Sequence, residues 1–289
     1  MSFAKGSGEK GGSWEKYLLT VITTFAAFFL GLVVAANAMQ AIPEIDSGGW
    51  SALRFAIQLL PYLCSFGALL FAVKLFLGRS VISVITSRKS IDWRRFFFSF
   101  GLWLTFQIVF LILANASGAY ITFDLSLGNL LPLFLVSITL LPIQTAFEDV
   151  FYRGVLFQGF SRATGKAGLS VLAIAVLFGL MHAGNPEVKV LGNVALVYYT
   201  VSGLFLGLLA HFDDGLELGM GYHFANNFFG AFIVTNTYQV FQTKAIFTDH
   251  SNPAVGWELL LPLFVLQPLL LYVFYRIYRW KNPLRRLLE

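Results

Sequence analysis

The chain has 289 residues, of which 57% are hydrophobic and 12% charged, with a mean hydropathy of +0.72 and a formal net charge of +5. Soluble domains carry about a quarter charged residues, so a soluble enzyme is excluded, and the absence of period-two alternation excludes a transmembrane β-barrel. What remains is an all-α polytopic membrane protein, because a helix satisfies its own backbone in lipid.

In chain order, residues 1–13 are rich in Ser and Gly and lack an apolar face, which predicts a disordered N-terminal tail. Residues 14–289 then read as one transmembrane domain. Apolar segments at about 17–39, 52–77, 96–117, 129–159, 168–183, 191–211, 216–236 and 256–278 predict about eight transmembrane helices. Lysines precede the first segment and Ala36-Asn37-Ala38 follows, as in a signal peptide, but its apolar run exceeds the usual h-region of about 7–15 residues, so it is read as a retained helix. Cys64 in the second segment is the single cysteine, which permits neither an internal disulfide nor a cysteine-based metal site. The fourth segment contains Pro132 and Pro142, which predict a kink or break. The fifth is short, as suits a helix enclosed by its neighbours.

Charge orients the chain. Lys5, Lys10, Lys16, Arg79, Arg88, Lys89, Arg94, Arg95, Arg162, Lys166, Arg276, Arg279, Lys281, Arg285 and Arg286 fall on one side. Arg54, Lys189 and Lys244, with Glu44, Asp46, Asp124 and Asp249, fall on the other. The positive-inside rule therefore predicts cytoplasmic N and C termini, and it accounts for the basic balance without a nucleic-acid partner. The one discord is the acidic turn with Asp213, Asp214 and Glu217 on the basic side.

Three polar sets interrupt the apolar segments: Glu148-Asp149-x-x-x-Arg153, Phe178-x-x-x-His182 and His223-x-x-x-Asn227. Ionisable groups at membrane depth are costly and mark functional sites. Asp149 and Arg153, four apart, stack on one helix face as an ion pair. Glu148 points about 100° away and has no evident partner on its helix, as a general base requires. Each set also has a structural reading: a packing triad near the interface, a satisfied core histidine, or interhelical hydrogen bonding in which Asn226 competes with Asn227. Depth favours a site. Counted from the predicted cytoplasmic ends at about 1.5 Å per residue, Glu148, His182, His223 and Asn227 fall within a common layer about 10–21 Å deep. A carboxylate, two imidazoles and a carboxamide suit activation of a water, directly or through a divalent metal.

These three sets, in this order and on separate helices, resemble the signatures of the type II CAAX prenyl endopeptidase family, also called the CPBP or Abi family of intramembrane metalloproteases. That family's patterns are E-E-x-x-x-R, F-x-x-x-H and H-x-x-x-N or B. The resemblance covers about residues 130–235. It implies that Glu148 is the general base, and that His182, His223 and Asn227 bind the water or a divalent metal such as zinc, with Glu148 also a metal ligand, and stabilise the oxyanion. Asp149, Arg153 and Phe178 are implied as supporting residues. Asp149 departs from the family's usual glutamate. The implied partners are membrane lipid and a membrane-associated protein or peptide substrate. Members related to eukaryotic enzymes cut a C-terminal tripeptide from prenylated proteins, and others are linked to bacteriocin immunity, peptide maturation or scaffolding. A non-catalytic scaffold or transporter with the same polar core is the alternative reading.

Overall fold

The computed structural model describes residues 3–5, 13–42, 52–123 and 126–288. Glu44, Asp46 and Asp124, used above for orientation, and residues 6–12 of the expected tail lie outside the described residues. Within that tail, Phe3–Lys5 form a single 3-10 turn. Phe3 is buried and its N–H donates to Asp214 Oδ1 at 2.9 Å.

The elements run α1 (Trp14–Gln40), α2 (Ala52–Leu75), α3 (Val81–Ile85), α4 (Trp93–Ala116), β1 (Ile121–Phe123), α5 (Leu127–Thr139), α6 (Leu141–Asp149), α7 (Phe157–Thr164), α8 (Ala167–Met181), α9 (Pro186–Leu191), α10 (Asn193–Phe212), α11 (Glu217–Phe228), β2 (Val234–Asn236), β3 (Phe247–Asp249), α12 (Trp257–Leu261), α13 (Gln267–Tyr278) and α14 (Pro283–Leu288). A π-helical turn, Val150–Leu156, joins α6 to α7, and two more follow α11 and α12. The short strands form one sheet in the order β1-β3-β2, with β1 antiparallel and β2 parallel to β3.

The fold is an all-α polytopic membrane fold, but the span count differs from the eight expected. Among the described residues, six helices are long and apolar enough to cross a membrane: Trp14–Gln40, Ala52–Leu75, Trp93–Ala116, Leu127–Thr164, Asn193–Phe212 and Leu259–Tyr278. The expected fifth segment is the 15-residue α8 and the expected seventh is the 12-residue α11. α11 is enclosed by other helices, which needs less length than a lipid-facing span, whereas α8, expected to be enclosed as well, buries one face and leaves Leu169, Leu172, Val176 and Leu180 exposed on the other. The long helices are also exposed. Phe29, Leu30, Phe97, Ile112 and Leu113 are exposed, as lipid-facing side chains must be.

Packing brings the polar sets together. Pro142, with no N–H to donate, starts α6 just after the break at Leu140, and α6 then packs on α2 and α11. α11 lies against α4 at Gly221, where a Cβ would collide with the Phe96 carbonyl. α10 meets α8 at Gly203, where a Cβ would stand 3.0 Å from the Phe178 ring and 3.2 Å from the Ala175 carbonyl oxygen. Small residues thus set the close helix approaches on which the site depends.

The acidic turn that conflicts with the positive-inside pattern is paired internally. Asp213 meets Arg95 at 2.7 Å and Arg88 at 2.9 Å, and accepts from Trp280 Nε1 at 2.9 Å. Glu217 meets Arg88 at 3.1 Å and accepts from the Asp92 N–H at 3.2 Å. Asp214 meets Arg286 at 2.6 Å. These acids neutralise basic-side arginines and tie the loop before α4 and the C-terminal residues to the start of α11.

Candidate active site

Asp149 is the last residue of α6, and the π turn begins one residue later. π turns inside α-helices recur at functional sites because they re-aim neighbouring side chains. The expected ion pair forms, with Arg153 Nη1 3.2 Å from Asp149 Oδ1 and both residues buried. Arg153 is satisfied further by aromatic faces. Its guanidinium carbon lies 4.2 Å from the centroid of Phe178, while Nε and Nη2 are buried without a hydrogen-bond acceptor.

His223 sits between the two acids. Its Nδ1 is 3.2 Å from Asp149 Oδ2 and its Nε2 is 3.5 Å from Glu148 Oε2. Asp149 therefore has one oxygen against arginine and the other against histidine. Glu148 differs: Gln144 Nε2 donates to its Oε1 at 2.7 Å, and its Oε2 has only the longer contact to His223. Gln144 Oε1 in turn accepts from Asn227 Nδ2 at 3.0 Å, so one glutamine links the base candidate to the carboxamide candidate. Gln144 was not singled out from the sequence, although it stands four residues before Glu148, the same spacing that identifies Asp149 with Arg153.

Asn226 lines the same cavity as Asn227, but its Oδ1 accepts from Trp103 Nε1 and Gln107 Nε2 on α4, both at 3.4 Å, and its Nδ2 donates to Asn227 Oδ1 at 3.5 Å. His182 caps α8 at the end remote from Ala167, and its Nδ1 lies 2.6 Å from the Phe178 carbonyl oxygen. A carbonyl only accepts, so Nδ1 carries the proton and, in the neutral ring, Nε2 is left as an acceptor. The His182 ring stacks on Tyr199 at 4.0 Å and touches the Phe178 ring at 4.5 Å. Among the described residues no hydrogen bond joins His182 to Glu148 or His223.

All four candidates, Glu148, His182, His223 and Asn227, line one cavity of about 460 Å³. Its walls include Tyr62, Phe147, Tyr152 and Tyr199 from the helices, and Glu187, Tyr238 and Phe241 from the segments after α8 and α11. No residue of the basic loops contributes to it.

Glu148, His182, His223 and Asn227 are oxygen and nitrogen donors of the types zinc accepts. Their arrangement does not fit one. Among the described residues no three His, Cys, Asp or Glu side chains converge as a metal-binding group, and both ring nitrogens of His223 face carboxylates.

No solved structure matches the chain. The uncharacterized protein YyaK of Bacillus subtilis (strain 168) is 30% identical over 203 residues, which cover 68% of this chain and 67% of that protein. The family model described as type II CAAX prenyl endopeptidase Rce1-like matches residues 128–229, from the start of α5 to the end of α11, which is the segment that supplies Glu148, His182, His223 and Asn227. By its matched segment and its relative, this multi-pass membrane protein belongs to the Rce1-like family of type II CAAX prenyl endopeptidases.

Proposed function

We propose that the protein is an intramembrane endopeptidase of the CAAX prenyl protease type, in which Glu148 activates a water that attacks a peptide bond of a membrane-associated protein or peptide. The observation that carries this reading is the unequal treatment of two adjacent buried acids. Asp149 is matched on both oxygens, whereas Glu148 faces the cavity with acceptor capacity left on both of its oxygens.

In this reading Glu148 takes the proton of the water and later returns it to the leaving amine. His223, held by Asp149, stabilises charge as it passes through Glu148. His182 Nε2 accepts a hydrogen bond from the water and so aims its lone pair at the substrate carbonyl. Asn227 keeps one amide N–H on Gln144 and has a second for the developing oxyanion. Arg153 and Phe178 hold Asp149 and His182 in place. Because no three His, Cys, Asp or Glu side chains converge as a metal-binding group among the described residues, proton transfer is assigned to Glu148 directly, and cleavage is expected to persist in excess chelator.

The basic asymmetry supports cytoplasmic termini, and the pairing of Asp213, Asp214 and Glu217 with arginines accounts for the one acidic turn that argued against it. A periplasm-active reporter fused at Glu289 then gives no signal; a strong signal reverses the orientation. Purified protein incubated with membrane peptides, its products identified by mass, tests the activity. New peptide C-termini that vanish in His182→Ala support it. Equal products from His182→Ala, or no hydrolysis of any peptide, leave a non-catalytic scaffold.

A further inference from the structure

The cavity contains a second carboxylate that the three signatures do not include. Glu187 stands in the first turn of α9, the short helix between α8 and α10. Its Oε1 accepts the Val240 N–H at 2.8 Å, which ties α9 to the segment after β2. Its Oε2, beside the Tyr199 hydroxyl, is buried without a well-formed hydrogen bond. No Lys or Arg among the described residues lines the cavity or acts on Glu187. Arg153 lies behind the cavity wall on Asp149, and Lys189 is exposed two positions further along α9, where a helix turns it away. A buried carboxylate oxygen without a cation is costly unless a ligand supplies one.

We infer that Glu187 is a recognition site for a cationic group of the substrate, a lysine ammonium or arginine guanidinium carried by an otherwise apolar segment. The inference rests on the peptide-substrate reading above and names the chemistry of that substrate. The surroundings suit it. Tyr199 stacks on His182, so a cation at Glu187 lies one aromatic ring from the candidate reacting groups. Tyr198, Tyr199 and Tyr238 also line the cavity, aromatic surroundings that suit a cation and its aliphatic stem. Glu187 and Glu148 give the cavity two carboxylates and, among the described residues, no Lys or Arg, which disfavours an acidic segment.

The test is binding, read apart from cleavage. In full-length Glu148→Gln protein a bound peptide survives, and Glu187 is the remaining cavity carboxylate. The probes are an end-blocked leucine- and alanine-rich peptide with a single lysine, its norleucine twin and its glutamate twin. The lysine peptide should bind about tenfold more tightly than the norleucine twin. Adding Glu187→Gln, which keeps an acceptor for the Val240 N–H, should bring that ratio to about one without weakening the norleucine twin. Glu187→Asp should keep a preference for lysine. A preference that survives Glu187→Gln, or no preference where Glu187 is present, overturns the inference. Should the glutamine protein fail to fold, the glutamate twin decides. It must bind more weakly than the norleucine twin wherever Glu187 is intact, and equal or tighter binding overturns the assignment. A lysine preference without hydrolysis by the unmodified chain would remove the protease reading and leave this one standing.

Discussion

Two clusters of buried charge, one at the basic face and one inside the bundle, use similar side chains to different ends. At the basic face Asp213 and Glu217 are saturated by Arg88, Arg95, Trp280 and the Asp92 N–H, and none of these acids lines the cavity of the candidate site. Inside the bundle the same saturation is given to Asp149, by Arg153 and His223, while its neighbour Glu148 receives one amide and faces open space. Saturation makes an acid structural. An acid left with spare acceptor capacity beside an imidazole, in a cavity large enough for substrate, is able to move a proton.

The comparison breaks most severely at His223. His223→Ala should lower turnover by about 10³-fold or more, and combining it with Glu148→Gln should add little, because the two act as one unit. Single-turnover cleavage of the three proteins checks this. Multiplicative losses would mean that the residues work separately. Arg153→Ala strands Asp149 in the bundle and should cost about 3–5 kcal/mol, read as lost folded yield in detergent. Full yield with activity alone lost would place Arg153 on the substrate instead.

At the basic face, Arg88→Ala leaves Asp213 with Arg95 and Trp280. It should destabilise by about 1–3 kcal/mol while the folded fraction keeps its specific activity, checked by thermal melting beside a rate per folded molecule. Gln144→Leu removes the bridge from Glu148 to Asn227 and should slow turnover by roughly 10- to 100-fold, the value of a hydrogen bond to a charged group. The smallest effect concerns pH. Burial holds the Glu187 carboxyl above the ordinary carboxylate range, so the lysine preference should be absent when Glu187 is protonated and should grow as pH rises through that raised value. The norleucine twin corrects for other titrations, and a preference that is flat with pH would contradict the assignment.

The fold class and the pairings within single helices were legible in the sequence. Four-residue spacing identified Asp149 with Arg153 and Phe178 with His182, because neighbours on one helix are fixed by helical geometry alone. The same rule applied once more finds Gln144 beside Glu148. Hydropathy read α11 as a span because apolarity per residue does not separate a lipid-facing helix from one enclosed by protein, and α8 because it is apolar throughout and falls short only in length. Pairings across long stretches of chain were not legible. Glu187 meets Val240 only after β2 has been placed, and the acids at 213, 214 and 217 look discordant until Arg88, Arg95 and Arg286 arrive from distant segments.

The central claim is that Glu148, and not the saturated acids, performs the chemical step. Cleavage of one membrane peptide by purified wild-type, Glu148→Gln and Asp213→Asn proteins tests it, with peptide binding measured alongside. The account predicts that Glu148→Gln binds peptide and folds normally but turns over by about 10³-fold or more slower, because an amide cannot accept the proton, while folded Asp213→Asn cleaves at the wild-type rate. Wild-type turnover by Glu148→Gln would contradict it.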